Sequence, residues 1–147
     1  MTTTTDWDTR EVDWRDSETV EAVRRVRHAV FVVEQNVPEE LEWDGSDSAC
    51  RHVIALDAAG TVVATGRLDS DDHIGRMAVA REARGQGAGR AVLDHLIAMA
   101  RERGSREVVL NAQTHAMAFY VHAGFEAFGE RFMEAGIEHQ SMLKRLV

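Results

Sequence analysis

Apolar residues recur along the chain in two helical stretches. From Val20 they return as Val23, Val26, Val30 and Val33, and from Val92 as Leu93, Leu96, Ile97 and Ala100. Spacings of three and four residues keep one face of a helix buried. Asp16 or Ser17 offers the first helix an N-cap, with Glu18 suited to its positive end, and Pro38 stops it a residue or two earlier. Gly104 ends the second. Arg24, Arg25 and Arg27 fall on the polar side of the first helix and are expected in solvent. Elsewhere the pattern is that of strands: residues 7–14, 51–56 and 61–68, with Gly60 in the turn of a hairpin. A further strand runs around Met77, Ala78 and Val79, and others at 107–111, 125–128 and 141–147, with 133–140 connecting or extending the last pair. Thr114 is placed to cap a short helix over 115–123. The order predicts one α+β domain over residues 1–147: a mixed, mostly antiparallel sheet flanked by helices, with residues 1–6 a frayed tail.

Between the strand at Met77 and the second helix lies Arg84-Gly85-Gln86-Gly87-Ala88-Gly89-Arg90. Alternate glycines permit positive φ and close approach of a ligand to the main chain. The free N–H groups of a helix start favour an anion, and Arg84 and Arg90 flank the spot with permanent charge. This is the layout of a pyrophosphate seat. It is not a P-loop, which ends in Gly-Lys-Ser or Gly-Lys-Thr, since the sole lysine is Lys144. It is not a dinucleotide fingerprint either, because Arg90 or Val92 stands where Gly or Ala is needed.

Composition narrows the partners. A formal charge of -8 disfavours non-specific binding to nucleic acid or an anionic membrane. There is no apolar run of the roughly 20 residues that span a bilayer, and the first residues do not read as a signal peptide, so a cytoplasmic location is expected. The single Cys50 allows no intrachain disulfide and reads as a small buried hydrophobe. Residues 69–72 are acidic, but no Glu stands at the twelfth position of a calcium loop, so no metal site is expected. The acidic stretch 34–47, with Trp43, reads either as a solvated connection or as one side of a site for a cationic amine.

The Arg84-x-x-Gly87-x-Gly89 loop resembles the coenzyme A loop of the GNAT superfamily of N-acetyltransferases. Phe119-Tyr120-x-x-x-Gly124-Phe125, about thirty residues downstream, is similar to that family's last acyl-CoA motif. Phe31-x-x-Glu34-Gln35-x-Val37-Pro38, followed by Asp44, Asp47 and His52, resembles the ElaA-type branch, as do Asn111-Ala112-Gln113 and Gly136-Ile137-Glu138-His139. The resemblance covers residues 9–143.

It implies a direct transfer of acetyl from acetyl-CoA to a primary amine, in a ternary complex and without metal. Met77, Ala78, Val79, Arg84, Gly85, Gln86, Gly87, Ala88, Gly89, Arg90, Asn111, Phe119 and Tyr120 would hold the acyl donor. Tyr120 would protonate the departing thiolate. For the general base the candidates are Glu34, Glu42, Asp44, His52 and Glu138, with Glu34 leading. Phe31, Glu34, Gln35, Asp44, His52 and Arg67 would form the acceptor side. His28, His95, His115 and His122 read as surface or core residues. A small-molecule amine is expected as acceptor, and dimerisation is common in such folds. Two other readings share the sequence: a non-catalytic acyl-CoA-binding or sensing module, and an acyl-homoserine-lactone-synthase-like acyltransferase.

Overall fold

A computed structural model describes residues 7–147; the expected tail at 1–6 lies outside the described residues. The elements are β1 (Asp8–Val12), α1 (Ser17–Arg27), α2 (Glu39–Glu42), β2 (Arg51–Leu56), β3 (Val62–Leu68), β4 (His73–Val79), α3 (Ala88–Glu102), β5 (Glu107–Gln113), α4 (Met117–His122), β6 (Glu126–Ala127), β7 (Phe132–Glu134) and β8 (Ile137–Arg145). The sheet runs β1-β2-β3-β4-β5-β8-β6, with β7 also on β8. Among the described residues only β4 and β5 pair in parallel; the other pairs are antiparallel.

β2 shows why the sheet is central. Val53 and Ala55 pack toward α3, and Ile54, pointing the other way, packs with Val23 and Val26 of α1. A strand covered on both faces reads as a continuous apolar run rather than an alternating one. No helix among the described residues is long and apolar enough to cross a membrane.

Several local expectations change. The first helix does not run evenly to Val33. After Arg27 it widens into a π-helical stretch, His28–Glu34. The wider turn rotates the apolar face, so that Val30 and Phe31 are buried while Val33 is 64% exposed. Arg27, expected in solvent, is 1% exposed, because it faces two carboxylates brought in by residues 39–47. Thr114 does not cap a helix; a 3-10 turn, Thr114–Ala116, precedes α4, which starts without a side-chain cap. The chain from 125 onward is more broken than a pair of strands. β6 has only two residues, and β7 and β8 form a hairpin whose turn residues, Ala135 and Gly136, both have positive φ. Two such residues match the right-handed twist of a tight hairpin. Cys50 is half-buried, and burial raises its thiol above the ordinary range.

Candidate active site

The site begins where β4 and β5 part. They pair only at His73↔Val109 and Ile74↔Leu110, and beyond that the strands diverge. β4 is bent by a bulge opposite Gly66, where Arg76 takes a φ of 52°. Gly66 lets Met77 and Leu96 pack close: a Cβ would lie 2.5 Å from the Met77 sulfur and 2.9 Å from Leu96, so both side chains would have to shift.

Past the bulge, the Ala80 N–H donates to the Val63 carbonyl at 2.7 Å. Hydrogen bonding in an antiparallel pair alternates along the strand. Val79, in register with Ala64, therefore turns its N–H and C=O away from β3 toward the gap. Its carbonyl accepts from Arg84 Nε at 3.1 Å. The Val79 N–H is left as a donor in the gap, available to an extended ligand or to an oxyanion.

The Gly-rich loop sits at the end of that gap. Gly85 and Gly87 have φ of 76° and 92°, and Gly87 is the N-cap of α3. The first backbone bond of the helix is Ala91 N–H to Gly87 O, so the N–H groups of Ala88, Gly89 and Arg90 are not used within it. Gly89 is buried, and a Cβ there would meet Val79 at 3.0 Å and Phe119 at 3.7 Å. Trp7 braces the loop by donating from its indole to the Gln86 carbonyl at 2.9 Å. Arg90 pairs with Asp94 at 2.9 Å on the exposed side of α3. Close packing and unused N–H groups together fit a pyrophosphate, while the flanking guanidiniums of Arg84 and Arg90 are each paired with a carboxylate.

A cavity of about 970 Å³ fills the divergence, walled by Val79, Asn111 and Tyr120 on one side and by Phe31, Glu34 and Arg67 on the other. Tyr120 is 8% exposed, and its ring meets Phe119 and Phe125 edge-on. Burial pushes its hydroxyl up to about 12, which keeps it protonated. Asn111 accepts from the Ser141 hydroxyl at 2.9 Å. Gln35 and Gln113 join across the gap at 2.7 Å.

The acceptor-side residues are more tightly engaged than their spacing suggests. Arg84 grips Glu34 with both terminal nitrogens, at 2.9 and 2.7 Å, holding that carboxyl below its usual range and making it a weak base. His52 does not reach the cavity. It stacks on Trp14 at 4.0 Å and bonds the Asp47 carbonyl at 2.8 Å, and burial lowers its basicity. Glu138 is exposed and 3.4 Å from Arg131. Trp43 packs against Arg27, its ring 4.8 Å from the guanidinium.

Glu42, Asp44 and Arg67 belong to a closed ring of alternating charge that spacing did not reveal. Arg27 binds Glu42 at 2.6 Å, and Glu42 binds Arg76 at 3.1 Å. Arg76 reaches Asp44 at 3.2 Å, and Asp44 reaches Arg67 at 2.8 Å. Arg67 and Arg27 then share Asp47, each at 2.8 Å. Arg76 also donates to the backbone carbonyls of Leu41 and Glu42. The ring fastens residues 39–47 to β3 and β4 and forms the floor of the cavity. Burial raises the Glu42 carboxyl, with Arg27 and Arg76 opposing, whereas the Arg67 fork drives Asp44 well below the carboxylate range.

Residues 15–146 match the family model described as an acetyltransferase (GNAT) domain. The chain is 37% identical over 123 residues to an uncharacterized N-acetyltransferase of Bacillus subtilis, YjcF, covering 81% of this chain and 87% of that one. Among solved structures, an acyl-CoA N-acyltransferase from Pseudomonas aeruginosa superposes with a TM-score of 0.81 at 30% identity, covering 95% of this chain and 99% of the other. ElaA from Escherichia coli gives the same TM-score at 28% identity with the same coverage.

Proposed function

The chain belongs to the GNAT family of acyl-CoA-dependent N-acyltransferases, and from that premise we propose that it transfers acetyl from acetyl-CoA directly to the primary amine of a small molecule. The single observation that carries this reading is the Val79 N–H, turned into the β4–β5 gap at the end of the Gly-rich loop and facing a cavity that Tyr120 also lines.

Acetyl-CoA, when bound, supplies a thioester carbonyl for the amine to attack. The unused N–H groups of Ala88, Gly89 and Arg90 would hold its pyrophosphate, and the exposed edges of β4 and β5 would bond its extended arm as an added strand would. The Val79 N–H would steady negative charge developing on the carbonyl oxygen. Tyr120, kept protonated by burial, would give its proton to the leaving sulfur. Glu34 works with Arg84 in this reading: the bidentate pair joins the acceptor-side turn to the pyrophosphate loop.

A binding module without transfer would need no phenol in the gap, so Tyr120 favours the enzyme. The test is thermal denaturation with acetyl-CoA, followed by thiol release in the presence of a panel of small primary amines. A ligand that binds the folded state raises the midpoint. A shift together with amine-dependent thiol release supports the proposal, and no shift at saturating acetyl-CoA overturns it.

A further inference from the structure

The cavity wall holds a further group capable of proton transfer, on β8, one residue beyond the base candidate Glu138. His139 is the third residue of β8, in register with Gln113 of β5 and Phe132 of β7. It lines the same cavity as Tyr120 and is 8% exposed. Its Nδ1 lies 2.7 Å from the Ile137 carbonyl, and its ring stacks on Phe132 with centroids 5.8 Å apart. A carbonyl oxygen only accepts, so Nδ1 must carry the hydrogen. The neutral ring then keeps its lone pair on Nε2, and the stacking and the backbone bond fix where that lone pair points.

The charges on the wall mark the same place. Glu34 is held by Arg84, Glu42 by Arg27 and Arg76, and Asp44 by Arg67 and Arg76. Arg67, Arg76 and Arg84 are thereby neutralised in turn. Among the described residues, Glu134 is the one cavity carboxylate without a guanidinium partner, and its oxygen lies 3.8 Å from His139 Nε2. The β7–β8 hairpin thus carries to the cavity an uncompensated negative charge and, beside it, an imidazole with a free lone pair. An ammonium group is attracted by the first, and the second can take its proton.

We propose that His139 is the general base of the transfer and that Glu134 receives the acceptor amine in its protonated form. This rests on the acetyltransferase reading above and assigns its acceptor end. A primary amine has a pKa near 10, so at neutral pH nearly all of it is ammonium without a nucleophilic lone pair. His139 Nε2 takes one proton from the ammonium. The freed nitrogen forms the C–N bond, the C–S bond breaks, and the Tyr120 hydroxyl protonates the sulfur. The second nitrogen proton returns to the Tyr120 oxygen, and the His139 imidazolium releases its own to water. The products are the amide, the free thiol and one proton. The groups placed against His139 are Glu134 and Phe132 from β7, Gln113 from β5 and the Ile137 carbonyl of its own strand.

The experiment compares wild type, His139→Gln and Glu134→Gln in acetyl-CoA melting shifts and in turnover of an alkyl diamine, an arylethylamine and a free amino acid from pH 7 to 10. His139→Gln is expected to keep the melting shift and to lose about 10²-fold or more in kcat at pH 7.5. The deficit should narrow as the amine deprotonates by itself. Glu134→Gln is expected to raise KM for the amine more than it lowers kcat. Activity of His139→Gln within threefold of wild type overturns the assignment, as does a deficit constant with pH. Independently of any variant, nitrogen NMR of the wild-type imidazoles should show His139 protonated on Nδ1 when neutral, and perturbed by a productive amine. The opposite tautomer, or a ring unmoved by every amine, also overturns it. Absence of an acetyl-CoA melting shift in wild type is a separate outcome, which removes the acetyltransferase reading itself and the base with it.

Discussion

The two walls of the cavity are built by different means. The donor wall, from Val79 through the Gly-rich loop to α3, works mainly through backbone: a turned strand residue, positive-φ glycines and unused helix N–H groups. The acceptor wall works through side chains, and its shape depends on three arginines and three carboxylates that close into a ring. A backbone site depends on steric fit and fails when one glycine acquires a side chain. A charge ring fails when one member leaves another buried without its partner.

Substitutions separate the two. Gly87→Glu places a Cβ at a φ of 92° and a negative charge at the helix start, so it is expected to abolish the acetyl-CoA melting shift altogether. A retained shift would break the claim that the donor wall depends on this backbone. Tyr120→Phe should lower kcat by about 10²–10⁴ while keeping the shift, measured by thiol release. Arg27→Ala leaves the Glu42 and Asp47 carboxylates short of a partner in the interior, and chemical denaturation should show a loss of about 3–5 kcal/mol. A loss near zero would mean that the ring does not hold the acceptor wall.

Acidification should act on the acceptor wall in two stages. His52 is lowered by burial, so as pH falls below its unfolded value of about 6.5 the unfolded chain takes up a proton that the folded one resists, and stability drops. Asp44 is lowered chiefly by Arg67, and its contribution, present above about pH 4, is lost as pH falls further. A melting curve flat from pH 7 to 3 would contradict both. The smallest effect is expected at Arg90→Ala, where an exposed pair with Asp94 is removed. Its ligand-free stability should change by less than about 0.5 kcal/mol, which makes it a control for effects of charge on acetyl-CoA binding alone.

Much of the donor wall was legible from local sequence. Gly85 and Gly87 stand where positive φ is needed, α3 starts directly after them, and Val79, Phe119 and Tyr120 fall on the elements that their spacing assigned. The acceptor wall was legible only as a set of residue types. Arg27 looked like surface because its charge sits on the polar side of a regular helix, and nothing within a few residues of it foretold Glu42 and Asp47. His52 lies in register with the cavity residue Arg67 on the next strand but stacks on Trp14 instead of entering the cavity. His139 stood inside a quoted motif without its chemistry being visible. Its tautomer is set by the Ile137 carbonyl, and its position by the Ala135-Gly136 turn, which folds β7 beside β8.

By itself the sequence determined what backbone geometry and periodicity can encode over one or two turns: an α+β chain, the apolar faces of α1 and α3, the hairpin of β2 and β3, and a glycine loop ahead of a helix. The tertiary structure decided which charges meet. The partners of the ring lie 15–34 residues apart along the chain where they bond, and burying a charge is tolerable only when an opposite charge arrives from elsewhere in the fold. Local preference cannot specify such an arrival; it follows from the bulge at Arg76, the widened turn after Arg27 and the packing of residues 39–47 against β3 and β4.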